Sequence, residues 1–419
     1  MAQGGLLLLV VALLMLRLNL VVVLFAVAIY VHLAWGGGHV EYLVEDLWIS
    51  LDSPILLSIP MFLLAGSVMN RGDIAARLFD IARAFTAPLP GGLGVAAILC
   101  CALFAAVSGS SAATMLAVGA VFYPAMRGQG FGRRYAMGAI TAAGTLGIVI
   151  PPSVPMIIYG LMAEVSVADM FLAGVGPGLL LTLVLALHAL IANRHLPRGT
   201  FDARAAGRAL RRGGWALMLP VLLFGGIYSG LFTPTEAAAV TLGGALVVEL
   251  AIHRALRLRD LYPIAVETAR LLGMLFPIIA VALSLRTILV LHQIPQEIVG
   301  WLTGMIGDPL VFLLGVNLLL LVVGCLFDAI SALLILTPLL LPVARAYGID
   351  PVHFGVIMVV NLEIGFLTPP LGMNLFVAVS AFGERFGEVC RSVLPFVAIM
   401  LAVLVAVTLA PGLSLFLVR

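Results

Sequence analysis

The chain is a succession of long apolar stretches separated by short polar loops. Stretches with few or no charged residues recur from one end of the 419 residues to the other. A stretch of about 20 such residues is long enough for a helix to cross the hydrocarbon core of a bilayer. The pattern predicts an all-α polytopic membrane protein with roughly a dozen spans and no sizeable soluble domain.

Two apolar segments, residues 93–126 and 309–346, do not fit a single crossing. Arginine-rich loops, typical of the cytoplasmic side, flank the first segment, and acidic or neutral loops flank the second. Each segment must therefore be a hairpin that enters and returns on one side, or a pair of short spans. The polar, small-residue centres, Ser108-Gly-Ser-Ser111 and Phe327-Asp-Ala-Ile-Ser331, favour re-entrant tips buried in protein.

The same asymmetry in arginine content assigns every loop to one side of the membrane. The arginine-rich loops predicted to be cytoplasmic are Arg71–Arg83, Arg127–Arg134, Arg194–Arg212, Arg254–Arg270 and the weaker pair Arg385 and Arg391. The loops predicted to lie outside are Glu41–Asp52, Glu164–Asp169, Gln293–Asp308 and Tyr347–His353. The two hairpins then open to opposite sides of the membrane, which predicts two halves of inverted topology.

An internal repeat supports this symmetry. Gly147-Ile-Val-Ile-Pro-Pro152 recurs 218 residues later as Gly365-Phe-Leu-Thr-Pro-Pro370. The same offset relates Pro124 to Pro342, Pro177 to Pro395, and the tip residues Ser110 and Asp328. Proline removes a backbone donor and interrupts a helix, so both segments are predicted to be broken helices. Interrupted segments at matching places in two halves indicate the binding site of a transporter.

These patterns divide the chain into successive units. Spans are expected near 4–17, 18–35, 53–70, 170–193, 215–232, 234–252, 271–291 and 394–417, with broken spans at 133–163 and 354–381 and amphipathic arms at 72–88 and near 257–270. The predicted units are N-terminal spans in 1–70, a first amphipathic arm in 71–92, a half with hairpin and broken helix in 93–193, further spans with a second arm in 194–308, and the second such half in 309–419.

The tips and breaks supply the candidate site. Hydroxyls, free carbonyls and a carboxylate at membrane depth suit a cation, and half-helix N-termini suit an anion. The predicted cation-binding residues are Ser108, Gly109, Ser110, Gly147, Asp328, Gly365 and Thr368. The predicted substrate-binding residues are Ser111, Thr114, Pro151, Pro152, Ser153, Asn361, Pro369, Pro370 and Asn374.

Simpler explanations exist for each group. Small residues also serve close helix packing, Asp328 could cap a helix or carry a proton, and polar groups near the breaks could satisfy freed backbone groups. Glu363 also lies within a predicted span.

The amino-acid composition excludes several functional classes of protein. The chain is 63% hydrophobic and 10% charged, and all of its 22 basic residues are arginine. A Walker A loop requires lysine, so ATP hydrolysis by that motif is excluded. The four cysteines form no CxxC, and the seven histidines show no metal-ligand spacing. We therefore expect no enzyme, no organic cofactor, no metal beyond Na⁺ and no nucleic-acid partner.

Several motifs resemble the large membrane subunit of TRAP transporters, the DctM type. They run in order from about residue 50 to about residue 410: Ile59-Pro-Met-Phe-Leu-Leu-Ala-Gly66, Leu89-Pro-Gly-Gly92, Ser108-Gly-Ser110, Ile150-Pro-Pro-Ser-Val-Pro155, Phe232-Thr-Pro-Thr-Glu-Ala237, Gly348-Ile-Asp-Pro-Val-His-Phe-Gly355 and Leu367-Thr-Pro-Pro-Leu-Gly-Met-Asn374. One departure concerns Thr114, where many family members have aspartate.

The resemblance implies an inverted-repeat elevator transporter in the bacterial inner (cytoplasmic) membrane. In such a transporter the spans in 1–70 and 194–308 would form a fixed scaffold, and residues 93–193 and 309–419 would form the two halves of a moving transport domain. It would import an organic acid, such as a C4-dicarboxylate, with Na⁺ as the coupling ion. Its implied partners are a small four-span membrane subunit and a periplasmic substrate-binding protein. A self-sufficient Na⁺- or H⁺-coupled carboxylate transporter and a channel or structural subunit remain as alternatives.

Overall fold

The computed structural model describes Leu13, residues 20–35 and residues 41–418, and this part of the chain is helical without a strand. The predicted first span near 4–17 lies outside these residues, apart from Leu13. A 3₁₀ turn, Pro54–Leu57, precedes α3, and a π turn, Val248–Ile252, extends α12. The described helices are α1 Leu20–Trp35, α2 Glu41–Leu51, α3 Ser58–Arg71, α4 Ile74–Thr86, α5 Gly92–Ser108, α6 Ser111–Gly128, α7 Arg133–Gly144, α8 Leu146–Val149, α9 Val154–Ala163, α10 Val167–Ala192, α11 Ala203–Tyr228, α12 Pro234–Val247, α13 Leu258–Leu291, α14 Ile294–Met305, α15 Pro309–Leu326, α16 Ala329–Ala346, α17 Pro351–Gly365, α18 Met373–Phe382, α19 Phe386–Leu409 and α20 Gly412–Leu415.

The predicted polytopic helical fold is confirmed. Within the described ranges, eight helical segments are long and apolar enough to cross a membrane. The segment Arg133–Ala163 is almost completely buried, and so is every residue of α17 after Pro351. A helix that is apolar on all sides is surrounded either by protein or by lipid. The burial of these two segments shows that protein surrounds them. The two interrupted segments therefore lie at the centre of the molecule.

Both predicted hairpins are present. Helices α5 and α6 turn back at Gly109 and Ser110, where Gly109 adopts a left-handed conformation with φ +59°. Helices α15 and α16 turn back at Phe327 and Asp328. Glycine adopts positive φ without a steric penalty, which lets the first hairpin reverse direction within two residues.

Both predicted helix breaks are also present. The first break, residues 150–153, separates α8 from α9, and the second break, residues 366–372, separates α17 from α18. The Pro151–Pro152 and Pro369–Pro370 peptide bonds are both cis. Each break falls inside one apolar segment, so each segment is divided into two half-helices.

The structure extends the repeat and corrects the second arm. Shifted by 218 residues, α4 falls on residues 292–304, where α14 lies, and each of these short helices precedes a hairpin. The arm of the second half is therefore α14. Residues 257–270, where the sequence suggested an arm, belong to the continuous helix α13. Arginine is a good helix former, so the charged segment continues into the apolar one without a break.

Three predicted loops are also partly helical. The loops 41–52 and 293–308 contain α2 and α14, and the loop 194–212 contains the first turns of α11. Asp202 begins α11 by accepting hydrogen bonds from the backbone N–H groups of Arg204 at 2.8 Å and Ala205 at 3.1 Å. Charged residues show where the chain leaves the hydrocarbon, and a helix can continue past that point.

The two halves interlock. Helix α7 packs on α19, α6 on α18, α9 on α16 and α17, and α10 on α17 and α19. We call α5–α10 together with α15–α20 the central body. Around it, α3 packs on α12, α4 on α11, and α13 on α1, α2 and α3. We call α1–α4 and α11–α14 the frame.

Close backbone contact holds the central body together. A Cβ atom on Gly138 of α7 would overlap the backbone carbonyl oxygen of Ser392 in α19. Small residues at such positions let membrane helices approach closely, which increases van der Waals contact between them.

We expect Gly138→Ala to destabilise the protein by about 1–3 kcal/mol, because the added methyl group would push α7 away from α19. The measurement is the thermal unfolding midpoint of the purified protein in detergent. Gly243→Ala in α12 is the matched control, because no atom lies within 4 Å of the added methyl group. An unchanged midpoint for Gly138→Ala would show that the two halves are not in close contact there.

Candidate functional site

Hydroxyl groups organise the first hairpin tip, residues 108–111. The Oγ atoms of Ser108 and Thr114 lie 2.6 Å apart, and the Ser108 hydroxyl also donates to the Ser110 carbonyl at 3.3 Å. The Ser110 hydroxyl accepts from the backbone N–H of Ala113 at 3.4 Å and so caps α6. These bonds fix the backbone of the tip.

The first tip lies against the first break. A Cβ atom on Gly147 would lie 2.5 Å from the Ser110 carbonyl oxygen and from the Thr114 hydroxyl. A Cβ atom on Gly109 would lie 3.1 Å from the Pro152 carbonyl oxygen. Backbone from the tip and backbone from the break are thus in direct contact, and glycine is required for this approach.

The end of the second hairpin, residues 324–329, which we call the second tip, makes an equivalent contact with the second break. A Cβ atom on Gly365 would lie 2.6 Å from the Gly324 backbone, and the backbone N–H of Gly372 donates to the Cys325 carbonyl at 3.2 Å. Asp328 caps α16, since its Oδ1 atom accepts from the Ser331 N–H at 3.0 Å. Asp328 therefore does cap a helix, which was one of the alternatives that the sequence allowed for this residue.

A hydrogen bond joins the two halves. The Ser111 hydroxyl at the first tip donates to Oδ1 of Asn374, just beyond the second break, at 3.2 Å. Asn374 is 1% exposed, and its Nδ2 atom has no hydrogen-bond partner in the described structure. The two tips and two breaks that the sequence paired thus form a single cluster.

A cavity of about 400 Å³ opens where these elements meet. Both tips, Phe366 of the second break, the half-helices α8 and α9 that flank the first break, and the frame helices α3 and α13 contribute to its walls. The predicted site residues that line it are Gly109, Ser110, Ser111, Asp328 and Asn374. Their roles as cation or substrate ligands remain predictions.

Four helix N-termini converge on this cavity. The lining includes the first residues of α6, α9, α16 and α18. The N-terminus of an α-helix carries unpaired N–H groups and a partial positive charge, and it attracts anions. Ser110, Ser153 and Asp328 cap three of these helices through their side chains, whereas α18 has no side-chain cap.

The other predicted site residues do not line the cavity. Thr114 bonds to Ser108 behind the tip, Asn361 donates to Oδ1 of Asn317 at 2.6 Å, and Thr368 donates to the Ile364 carbonyl at 2.9 Å. Gly147 and Gly365 pack directly against the tips. The remaining members of this group lie within the breaks and are Pro151, Pro152, Ser153, Pro369 and Pro370. Ser108 also lies behind the lining, at the base of the tip.

Sequence reasoning missed the apolar wall that faces the tips. Leu271, Met274, Leu275 and Ile278 of α13 form most of this wall, together with Leu63 of α3. Their i, i+3, i+4, i+7 spacing marks one helix face, but apolar residues at this spacing also face lipid.

Sequence reasoning also left Glu363 without an assigned role. The structure buries it completely, and both carboxylate oxygens lack a hydrogen-bond partner among the described residues.

The chain matches the family model "Tripartite ATP-independent periplasmic transporter, DctM component" over residues 7–413. It is 42% identical over 388 residues to the C4-dicarboxylate TRAP transporter large permease protein DctM of Pseudomonas aeruginosa, covering 91% of this chain and 90% of that protein. The chain belongs to the DctM family of TRAP transporter permeases. The resemblance drawn from the sequence motifs is thereby confirmed.

Other DctM relatives carry different substrate names. The isethionate TRAP transporter permease protein DctMQ of Oleidesulfovibrio alaskensis is 38% identical over 387 residues, and the match covers 91% of this chain but 61% of that longer protein. The solved YdaH transporter of Alcanivorax borkumensis is 15% identical, with a TM-score of 0.64 over 88% of this chain and 87% of that one. That structure therefore supports the fold alone. The DctM relatives are named as transporter permeases and not as enzymes, as the sequence predicted.

We expect Gly365→Ala to open the contact between the second tip and the second break. Overpacking by one methyl group costs about 1–3 kcal/mol, which corresponds to a rise in the opened fraction of roughly five-fold to more than one-hundred-fold. Cys325, which is 7% exposed, reports this opening directly. With Cys100, Cys101 and Cys390 replaced by alanine, the rate at which a membrane-permeant maleimide modifies Cys325 should rise accordingly.

Gly315→Ala in the same hairpin is the control, because no atom lies within 4 Å of its added methyl group. If both variants react with maleimide at the parent rate, the glycine contact does not hold the tip closed.

Proposed function

We propose that the chain is the permease subunit of a tripartite secondary transporter that imports a small organic acid together with Na⁺. The observation that carries this proposal is the single cavity lined by both hairpin tips, by the second break and by the half-helices that flank the first break. A C4-dicarboxylate or a related carboxylate is the proposed cargo, because the similar P. aeruginosa protein carries that substrate in its name. The proposed location is the bacterial inner membrane.

The electrostatics of the cavity support coupling to a cation. Of the described residues that line it, Asp328 is the only ionisable one. An organic anion entering this space would meet a carboxylate at low dielectric, without an arginine to pair with. Four converging helix N-termini offset part of this repulsion. Bound Na⁺ would neutralise the rest, so that anion and cations would each strengthen the binding of the other.

The backbone around the tips offers ligands for such cations. Pro151 lacks the N–H that would otherwise bond to the Gly147 carbonyl one turn earlier, and Gly147 packs against the first tip. The Ser108 and Ser110 hydroxyls lie at the same tip. In the second half, Asp328, Gly365 and Thr368 occupy the corresponding region. We propose one cation site at each tip–break contact, with the organic anion between them.

The two walls of the cavity differ in a way that supports an elevator mechanism. All polar lining residues, Ser110, Ser111, Asp328 and Asn374, belong to the central body. The frame contributes only the apolar side chains of α3 and α13. A substrate held by polar groups of the central body could move with it. The apolar face of α13 would stay in place and exclude water as the central body slides past it.

Two protein partners complete the proposal. The family description names a tripartite periplasmic system, which supports a small four-span membrane subunit and a periplasmic substrate-binding protein. Exposed acidic side chains on the predicted outer face, among them Glu45, Asp52, Glu297 and Asp308, could attract a basic surface of the binding protein. This attraction would weaken with added salt.

We expect uptake to require Na⁺. In proteoliposomes that contain the permease and both partners, replacing Na⁺ by choline at constant pH should abolish uptake of the transported carboxylate. Asp328→Asn should raise the Na⁺ concentration needed for half-maximal uptake, because it removes a negative charge beside the proposed cation site. Asp169→Asn at the predicted outer face is a charge-matched control. Uptake that persists in choline and follows a proton gradient would assign H⁺ as the coupling ion.

We also expect uptake to require the binding protein. The comparison is uptake by the membrane subunits with and without the purified binding protein, at equal substrate concentration. Uptake should rise from background to its full rate when the binding protein is added, and high salt should reduce the rate. Equal uptake without the binding protein would favour the self-sufficient carboxylate carrier.

A further inference from the structure

Two adjoining cavities lie beside the arm helix α4, well separated in sequence from the tips and breaks. Their volumes are about 370 Å³ and about 340 Å³, and both include Arg83 and Ala87. The first is bounded by α4, the start of α5 and residues 197–199, and the second by α4 and the start of α11. The backbone N–H of Gly199 donates to the Ala87 carbonyl at 2.9 Å, which holds the loop against the arm.

The charge of these cavities is unbalanced. Their ionisable lining residues are four arginines and two aspartates: Arg83, Arg198, Arg208, Arg212, Asp80 and Asp202. Arg208 lies 3.9 Å from Asp202, which also caps α11. Arg83, Arg198 and Arg212 have no carboxylate within ion-pair distance in the described part of the chain. These three arginines line the cavities outside ion-pair distance of any carboxylate, and with Asp80 and Asp202 counted the lining residues carry a net charge of +2.

Apolar groups border the same arginines. Leu89 and Leu93 line the first cavity. Phe85 and Phe201 are 46% and 53% exposed, their ring centroids lie 6.4 Å apart, and they are next in sequence to Ala84 and Thr200, which line the second cavity. These rings add exposed apolar surface close to the arginines. The site thus offers cationic donors on one side and an apolar border on the other.

We propose that these two cavities bind the headgroup of an anionic phospholipid from the arginine-rich face of the membrane. Guanidinium groups bind phosphate oxygens through paired hydrogen bonds, and basic pockets between membrane helices bind anionic headgroups. The apolar border favours a phospholipid over free phosphate, because it provides a surface for the acyl chains. The bound lipid joins α4 to α11 and braces the arm that leads into the first hairpin.

The test compares lipid retention by native mass spectrometry. The full-length permease is reconstituted with equal amounts of phosphatidylglycerol and phosphatidylcholine and is then released in mild detergent. We expect the wild type to retain phosphatidylglycerol in about five-fold or greater preference. The double variant Arg83→Gln, Arg198→Gln should lose this preference. The double variant Arg259→Gln, Arg391→Gln removes the same charge outside the cavities and should keep it.

Two outcomes would overturn the proposal. Equal phosphatidylglycerol retention by wild type and the Arg83, Arg198 variant would show that the cavities do not select the lipid. Displacement of the lipid by inorganic phosphate would identify a site for the free anion instead. Arg198 lies in an exposed loop, so Arg198→Gln alone provides a folded variant in which the preference should fall by a smaller factor.

Discussion

The structure depends on the need to satisfy backbone polar groups at membrane depth. Two hairpin tips and two helix breaks expose N–H and C=O groups where lipid offers no partner, and each unpaired group costs several kcal/mol. The protein meets this need by placing each tip against a break. The Gly372 N–H bonds to the Cys325 carbonyl, and the Ser110 carbonyl adjoins Gly147. The irregular backbone is thereby enclosed within the central body.

This solution also determines the electrostatics of the site. A chain that turns or breaks at mid-depth starts a new helix there, so the arrangement brings four helix N-termini to one cavity. Their partial positive charges would suit an anion, whereas Asp328 would repel it. Under the proposed function, such a cavity would bind anion and cation together more favourably than either alone. Coupling of the two ligands would then follow from how the backbone is folded.

The parts of the fold that the sequence predicted are those marked by local signals. Glycine, proline and serine affect the backbone conformation only within a few residues of their own position. The tips, the breaks and their pairing could therefore be predicted from the repeat. Helix ends did not follow, because arginine and acidic residues report membrane depth and α11 and α13 continue through them. The apolar wall of α13 was missed because Leu271 and Met274 resemble lipid-facing residues. Thr114 and Asn361 were in the right region, but their hydrogen bonds turn them away from the cavity.

The two halves share a backbone plan but have diverged in chemistry. Under the offset of 218 residues, the neutral Ser110 is equivalent to the acidic Asp328, and Thr145 is equivalent to the buried Glu363. The arms have diverged as well. The N–H of Ile74 at the start of α4 donates to the buried Glu249 carboxylate at 2.7 Å, whereas α14 starts without a side-chain cap.

These differences show which features the symmetry has to preserve. Inverted halves need equal backbone geometry, since each tip must close on its own break. In the predicted topology their side chains face different surroundings, because one arm meets the arginine-rich side of the membrane and the other meets the opposite side. The shared backbone geometry does not fix the charges of the side chains, so the two halves can carry different charges within one symmetric fold.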